Sequence, residues 1–146
     1  FIQGLETLAL RVREHSKNAD EIAKFLMDHP KVERVVHPSV ASDLAKERAD
    51  KYLSGGCGGL MGFEIKGGIE AGKQFINSLE MFYHVANSGD SRSWAIHPAS
   101  TTHSQLNEEE LLSAGVTPGY VRLSIGLEHL DDIKDDLTQA LDKVSV

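Results

Sequence analysis

Apolar residues recur at helical spacing from the start of the chain. Leu5, Leu8, Val12, Ala19, Ile22 and Leu26 stand three, four or seven apart, and no proline intervenes before Pro30. The pattern predicts one long helix over the first 28 residues, ended by Asp28-His29-Pro30. Lys31 to Val36 is rich in valine and predicts a strand stopped by His37-Pro38, and Ser42 is a plausible N-cap for a short charged helix through about Tyr52. A glycine-rich turn, Gly55 to Gly59, leads into Leu60–Ile65, where Met61, Phe63 and Ile65 alternate with Leu60, Gly62 and Glu64 as on a half-covered strand. Past Gly67-Gly68, Ala71, Phe75 and Ile76 form the apolar side of a helix from about Ile69 to Ser78.

The second half is less regular. Phe82 to Ala86 predicts a short strand, a polar stretch runs from Asn87 to Arg92, and an apolar Trp94-Ala95-Ile96 stops at His97-Pro98. Asn107 with Glu110 three residues on has the form of a capping box, and Gly115 and Pro118 close the helix it opens. Tyr120 to Ile125 alternates again, with Val121, Leu123 and Ile125 on one face and Arg122 and Ser124 on the other. A last helix starts near Leu130, its inner face carried by Ile133, Leu137, Ala140, Leu141 and Val144, with Asp131 and Asp132 at the positive end of its dipole. The fold class expected is α/β (α+β): a small mixed or antiparallel sheet of about four strands, helices on one face and a long N-terminal helix.

Composition narrows the partners. The 146 residues suit one domain, and 40% hydrophobic with 25% charged is globular. Fifteen Lys and Arg against 22 Asp and Glu leave a net charge of −7, which repels phosphate backbones and argues against nucleic acid. No apolar run approaches a membrane span and no signal peptide pattern is present. The single cysteine, Cys57, cannot form an internal disulfide; it predicts a reducing, cytoplasmic setting and an inert thiol among glycines. Because the chain opens at Phe1, already inside a periodic pattern, a longer parent polypeptide is expected.

Spacing alone assembles no catalytic constellation. His84, His97 and His103 match no metal-ligand pattern and are expected to be loop histidines bonded to backbone, and neither a phosphate-cradling glycine motif nor a nucleophile elbow occurs. One residue stands apart. Arg122 interrupts an apolar strand, either on a solvated face or as a planar fork aimed at an anion such as a carboxylate. The Asn87–Arg92 stretch is likewise an exposed turn or a binding loop.

Three segments together carry a resemblance: Asn87-Ser88-Gly89-Asp90, then His97-Pro98-Ala99-Ser100-Thr101-Thr102-His103-Ser104, then Val121-Arg122-Leu123-Ser124-Ile125-Gly126-Leu127-Glu128. In order and spacing they resemble the C-terminal domain of the pyridoxal-phosphate enzymes of cysteine and methionine metabolism. The likeness extends from Gln3-Gly4-Leu5-Glu6-Thr7-Leu8 to the end of the chain. Thr101, the Asn87-x-Gly89-Asp90 turn and the run from Glu109 to Pro118 are similar to the sulfhydrylase branch, whereas Trp94 departs from the smaller aliphatic residue usual there.

The resemblance implies that residues 1–146 are the small C-terminal domain of a fold type I transferase. The larger preceding domain, absent here, would hold pyridoxal 5'-phosphate on its own lysine. The expected partners are that N-terminal domain, a small amino-acid substrate and further copies in a homotetramer. Arg122 would grip the substrate α-carboxylate, Asn87 would add a hydrogen bond to it, and Thr102 would line the site or support Arg122. No catalytic, cofactor-binding or metal-binding residue is expected in this part of the protein, which alone should be inactive. The parent reaction implied is γ-replacement on O-acetyl-L-homoserine by sulfide or methanethiol. Methionine γ-lyase and cystathionine γ-synthase or γ-lyase are the alternatives within the family, and a stand-alone α/β ligand-binding module is the alternative outside it.

Overall fold

The computed structural model describes residues 1–145 and shows where each predicted segment buries its apolar side. The opening helix is broken in two: α1 covers Ile2–Glu6 and α2 covers Leu8–Met27, with Thr7 between them at φ −109° and ψ 3°. Arg11 stabilises the break by donating from Nε to the Thr7 hydroxyl at 3.3 Å and from its terminal nitrogen to the Gly4 carbonyl at 2.8 Å. Helical spacing also overstates the burial. Leu5, Leu8 and Val12 are exposed, and the buried face of α2 begins at His15 and continues through Ala19, Ile22 and Leu26.

Among the described residues five strands form one sheet in the order β1-β2-β5-β4-β3: β1 Val32–Val36, β2 Leu60–Ile65, β3 Tyr83–His84, β4 Trp94–Ile96 and β5 Tyr120–Ser124. β3 runs parallel to β4 and the other pairs are antiparallel, so the sheet is mixed, as the pattern allowed. The count corrects the expected four. The added strand is Trp94–Ile96, three residues with too short a period to announce itself, which pairs with Ser124, Leu123 and Arg122.

The strand predicted over Phe82–Ala86 shortens to two residues. The backbone leading into it is held by a side chain, since the Asp136 carboxylate accepts from the amides of Glu80, Met81 and Phe82 at 2.8, 2.9 and 3.2 Å.

Helices α2, α4 (Gly68–Ser78) and α6 (Leu130–Asp142) cover one face of the sheet. Ile22, Phe63, Phe75, Leu123 and Leu137 meet there without exposure, and the Phe63 and Phe75 rings pack edge to face at 5.3 Å. Lys31 closes the layer at its base, donating to the carbonyls of Leu141, Asp142 and Val144 at the end of α6. Not every helix lies on this face. α3 (Asp43–Tyr52) stands over the opposite face and walls a cleft there, and a register shift in β1 between Val32 and Arg34 turns Arg34 and Val36 toward that side. The predicted capping box forms as drawn: in α5 (Glu108–Ser113) Asn107 and Glu110 satisfy each other's amides at 3.0 and 2.9 Å.

Candidate functional site

Strand alternation decides which face each side chain of β5 takes. Val121 and Leu123, with Ile125 just beyond, enter the core, so Tyr120, Arg122 and Ser124 face the other way. On that side lies an open cleft of about 820 Å³ between α3 and the sheet. Its walls include Arg34, Arg48 and Tyr52, and its floor includes Gly62, Tyr120 and Arg122. Gly62 is needed because the Tyr120 ring lies directly over it; a Cβ there would overlap the phenol. Burial pushes the Tyr120 hydroxyl above its ordinary pKa, so it stays protonated beside the guanidinium.

The arginines of the cleft differ in what occupies them. Arg34 donates from Nε to Glu64 at 2.8 Å and is already paired. Arg122, half-buried, donates one terminal N–H to the Asn87 carbonyl at 3.1 Å, and no carboxylate of the described residues pairs with it. A guanidinium with one neutral acceptor keeps most of its donors for an incoming anion, with a geometry that matches a carboxylate.

Asn87 therefore reaches Arg122 through its backbone. Its side-chain oxygen accepts from the Ser88 amide at 2.9 Å and shapes the turn that follows. Gly89 sits at φ +81° and donates to the Ser124 hydroxyl at 3.4 Å, bringing the turn over the β5 face. Asp90 accepts from the backbone and side chain of Arg92, which holds its pKa down at about 2. The Arg92 guanidinium rests 4.6 Å from the centre of the Tyr83 ring.

Thr102 is not part of this assembly. It is exposed, its hydroxyl shares a hydrogen bond with His103 Nδ1 at 2.9 Å, and among the described residues no hydrogen bond joins it to Arg122 or Asn87. The motif around it is organised by His97 instead. Fully buried, His97 donates from Nε2 to the Pro118 carbonyl at 2.7 Å and accepts at Nδ1 from Ser100 at 2.8 Å. The tautomer follows from Pro118, whose carbonyl can only accept. His97 lies over Gly72 of α4, where a Cβ would strike the imidazole.

Burial lowers the His97 pKa from its ordinary 6.5, and that of His37 likewise. The unfolded chain takes up protons as pH falls through 6.5 while the fold resists, so stability is present above that pH and lost as it drops. A lower urea midpoint is expected at about pH 5.5 than at about pH 7.5, with a smaller difference in His97→Gln. A midpoint independent of pH in this window would show that the imidazoles titrate alike in both states.

Four residues that shape this geometry, Ser93, Glu128, His15 and Asn18, carry no role in the sequence reading. Ser93, fully buried, donates its amide to Glu128 Oε1 at 2.6 Å and its hydroxyl to Oε2 at 2.9 Å, while its oxygen accepts from the Gly126 amide at 2.8 Å. From α2, His15 Nδ1 binds the Ile125 carbonyl at 2.6 Å, and the Asn18 amide donates to the carbonyls of Gly126 and Glu128 at 3.2 Å. Glu128 closes the quoted β5 motif, and that placement was the available signal.

No lysine is among the residues lining the cleft; Lys66 donates to the Pro30 carbonyl, Lys73 pairs with Glu70, and Lys31 is committed to α6. Among the described residues no group of three His, Cys, Asp or Glu could hold a metal, and no helix is long and apolar enough to cross a membrane.

Comparison with known proteins matches residues 1–142 to the family model described as Cys/Met metabolism PLP-dependent enzyme. An O-acetyl-L-homoserine sulfhydrylase of Leptospira meyeri is 54% identical over 145 residues, covering 99% of this chain and 33% of that protein. An L-methionine gamma-lyase of Fusobacterium nucleatum subsp. polymorphum is 43% identical over 144 residues, 99% of this chain and 36% of that protein. The crystal structure of a putative O-acetylhomoserine (thiol)-lyase from Campylobacter jejuni, which contains N'-pyridoxyl-lysine-5'-monophosphate, superposes with a TM-score of 0.88. It is 48% identical over 96% of this chain and 33% of its own. The chain thus spans about a third of the length of the relatives it matches.

Proposed function

The chain belongs to the Cys/Met metabolism PLP-dependent enzymes, and from that premise we propose that it is the small C-terminal domain of an O-acetylhomoserine sulfhydrylase. The observation that carries this reading is Arg122, unpaired with any carboxylate among the described residues, on the floor of the cleft and braced by the Asn87 carbonyl. Identity of 54% to a sulfhydrylase, against 43% to a methionine gamma-lyase, favours that branch.

Pyridoxal phosphate is the family's cofactor, and in the Campylobacter neighbour it is joined to a lysine. The residues of this chain do not fit that attachment, since no lysine is among the residues lining the cleft, and Lys31, Lys66 and Lys73 are spent on carbonyls and a carboxylate elsewhere. The remaining two thirds of the parent would hold the cofactor, and this domain would hold the substrate's far end.

In this reading Arg122 takes the α-carboxylate of the amino acid in a two-pronged, charge-assisted pair. The Asn87 carbonyl keeps one edge of the guanidinium turned, which leaves another edge free for the carboxylate. Fixing that end restricts the reacting carbons to one orientation, a contribution of position rather than of proton transfer. Thr102, exposed and bonded to His103, has no hydrogen bond to Arg122 on which to support it; a place on the rim of the site is the role left to it. The assembled protein would be a cytoplasmic homotetramer.

The test is made with the full-length protein loaded with pyridoxal phosphate. Formation of homocysteine from O-acetyl-L-homoserine and sulfide is expected, with methanethiol compared as donor. Release of methanethiol from L-methionine alone, without homocysteine synthesis, would assign the protein to the lyase branch instead.

A further inference from the structure

Ser93 joins the turn after Asn87 to the end of β5, and every polar atom it has is engaged. Its amide and hydroxyl both go to Glu128, its oxygen takes the Gly126 amide, and its carbonyl takes the Tyr83 amide at 3.0 Å. The Leu127 amide adds a bond to the Ser91 carbonyl at 2.7 Å. Gly126 leaves no room for anything larger: a Cβ would strike Glu128 Oε2 and the Ser91 carbonyl oxygen. One carboxylate therefore ties the turn to the strand that carries Arg122.

We propose that Glu128 is a positioning residue for the substrate carboxylate: by holding Ser93 it sets the height of the Asn87–Arg92 turn, and with it the Asn87 carbonyl that orients Arg122. This rests on the carboxylate-holding role of Arg122 given above. Glu128 does not line the cleft and touches no substrate. Its influence passes through the turn, from Ser93 at one end to Asn87 at the other. Between them, Gly89 docks on the Ser124 hydroxyl of the same strand, so the turn is held on β5 at Arg122 and Ser124 and beyond it at Gly126, Leu127 and Glu128. The bonds to Glu128 are charge-assisted and shorter than the Gly89 contact, which makes the carboxylate the stronger support.

Glu128→Gln keeps an acceptor for the Ser93 amide but puts an NH2 group where the Ser93 hydroxyl donates. In the full-length, cofactor-loaded protein, KM for O-acetyl-L-homoserine should rise about tenfold with kcat within about threefold, since ground-state and transition-state holding are lost alike. The discriminating readout is competitive inhibition by L-norleucine and by pentylamine, which is the same molecule without its carboxylate. The inhibition constant for norleucine should rise with KM, and that for pentylamine should not move.

Equal weakening of both inhibitors would overturn the proposal, because the turn would then support the site in general rather than Arg122. An unchanged KM in Glu128→Gln, with Arg122→Ala still strongly impaired, would also overturn it and leave the role of Arg122 standing. Conversely, an Arg122→Ala protein that binds norleucine normally would remove the reading on which the proposal rests. Glu128→Asp, which keeps the charge but shortens the reach, is expected to fall between wild type and Glu128→Gln. It replaces that variant in the same assays if the amide yields no folded protein.

Discussion

Replacing Arg122 with alanine in the full-length enzyme is expected to lower kcat/KM by at least about a hundredfold. Hydrogen bonds to charged groups contribute roughly 1.5–3 kcal/mol each, and the fork offers two of them to a carboxylate. Two such bonds correspond to about a hundredfold or more, at about 1.4 kcal/mol for each tenfold. Arg122→Lys should recover only part of this, because an ammonium presents a point charge rather than two parallel donors. Fold and cofactor content should persist in both variants, since Arg122 is only half-buried and its recorded bond within the chain is to the Asn87 carbonyl. Steady-state kinetics on O-acetyl-L-homoserine checks the expectation. A loss within about threefold would place the carboxylate elsewhere and return Arg122 to the role of a surface cation.

The second large effect is on stability. Asp136, buried on the inner face of α6, accepts from three successive backbone amides and from the Gln139 side chain at 2.9 Å. Asp136→Ala would leave the three backbone amides without their acceptor, in buried surroundings at Phe82 and partly buried ones at Glu80 and Met81. Each unsatisfied buried group costs about 1–3 kcal/mol, so a loss of at least about 3 kcal/mol is expected from urea unfolding. Asp136→Asn should lose most of the same amount, since only one of its two heads can accept while the other opposes a donor. A change below about 1 kcal/mol would mean that the Glu80–Phe82 segment is hydrated after the loss rather than orphaned.

Much of this architecture is legible in residue order because periodicity reports burial. The alternation in Leu60–Ile65 and Tyr120–Ile125 identifies the two central strands, and the capping box at Asn107 is present atom for atom. Long-range pairing is where the pattern fails. The break at Thr7 depends on Arg11 reaching back to Gly4, and Trp94–Ile96 is a strand because β5 lies beside it. Periodicity also could not distinguish the covered start of a helix from an uncovered one, as Leu5 and Val12 show.

The site divides in the same way. Arg122 stood out as a cation in an apolar strand, and Asn87 came with it through family likeness. What their neighbours do is a matter of contacts distant in the chain. Glu128 and Ser93 are 35 positions apart, and neither is unusual in its own surroundings. Thr102, carried by the same likeness, proves to belong to the segment organised by His97.

The strand order has a consequence for how the protein is made. β5 lies at the centre of the sheet, between β2 and β4, yet is the last of the five strands to be synthesised. About 55 residues separate β2 from it, roughly 3–10 s of synthesis at about 5–20 residues per second. For that interval the nascent β1–β2 ribbon carries an open edge at Met61 and Phe63, and a two-stranded ribbon is marginal on its own. A premature stop before residue 120 would therefore remove the middle of the sheet, not its margin. Two disconnected ribbons would remain, with sticky edges for a chaperone to guard.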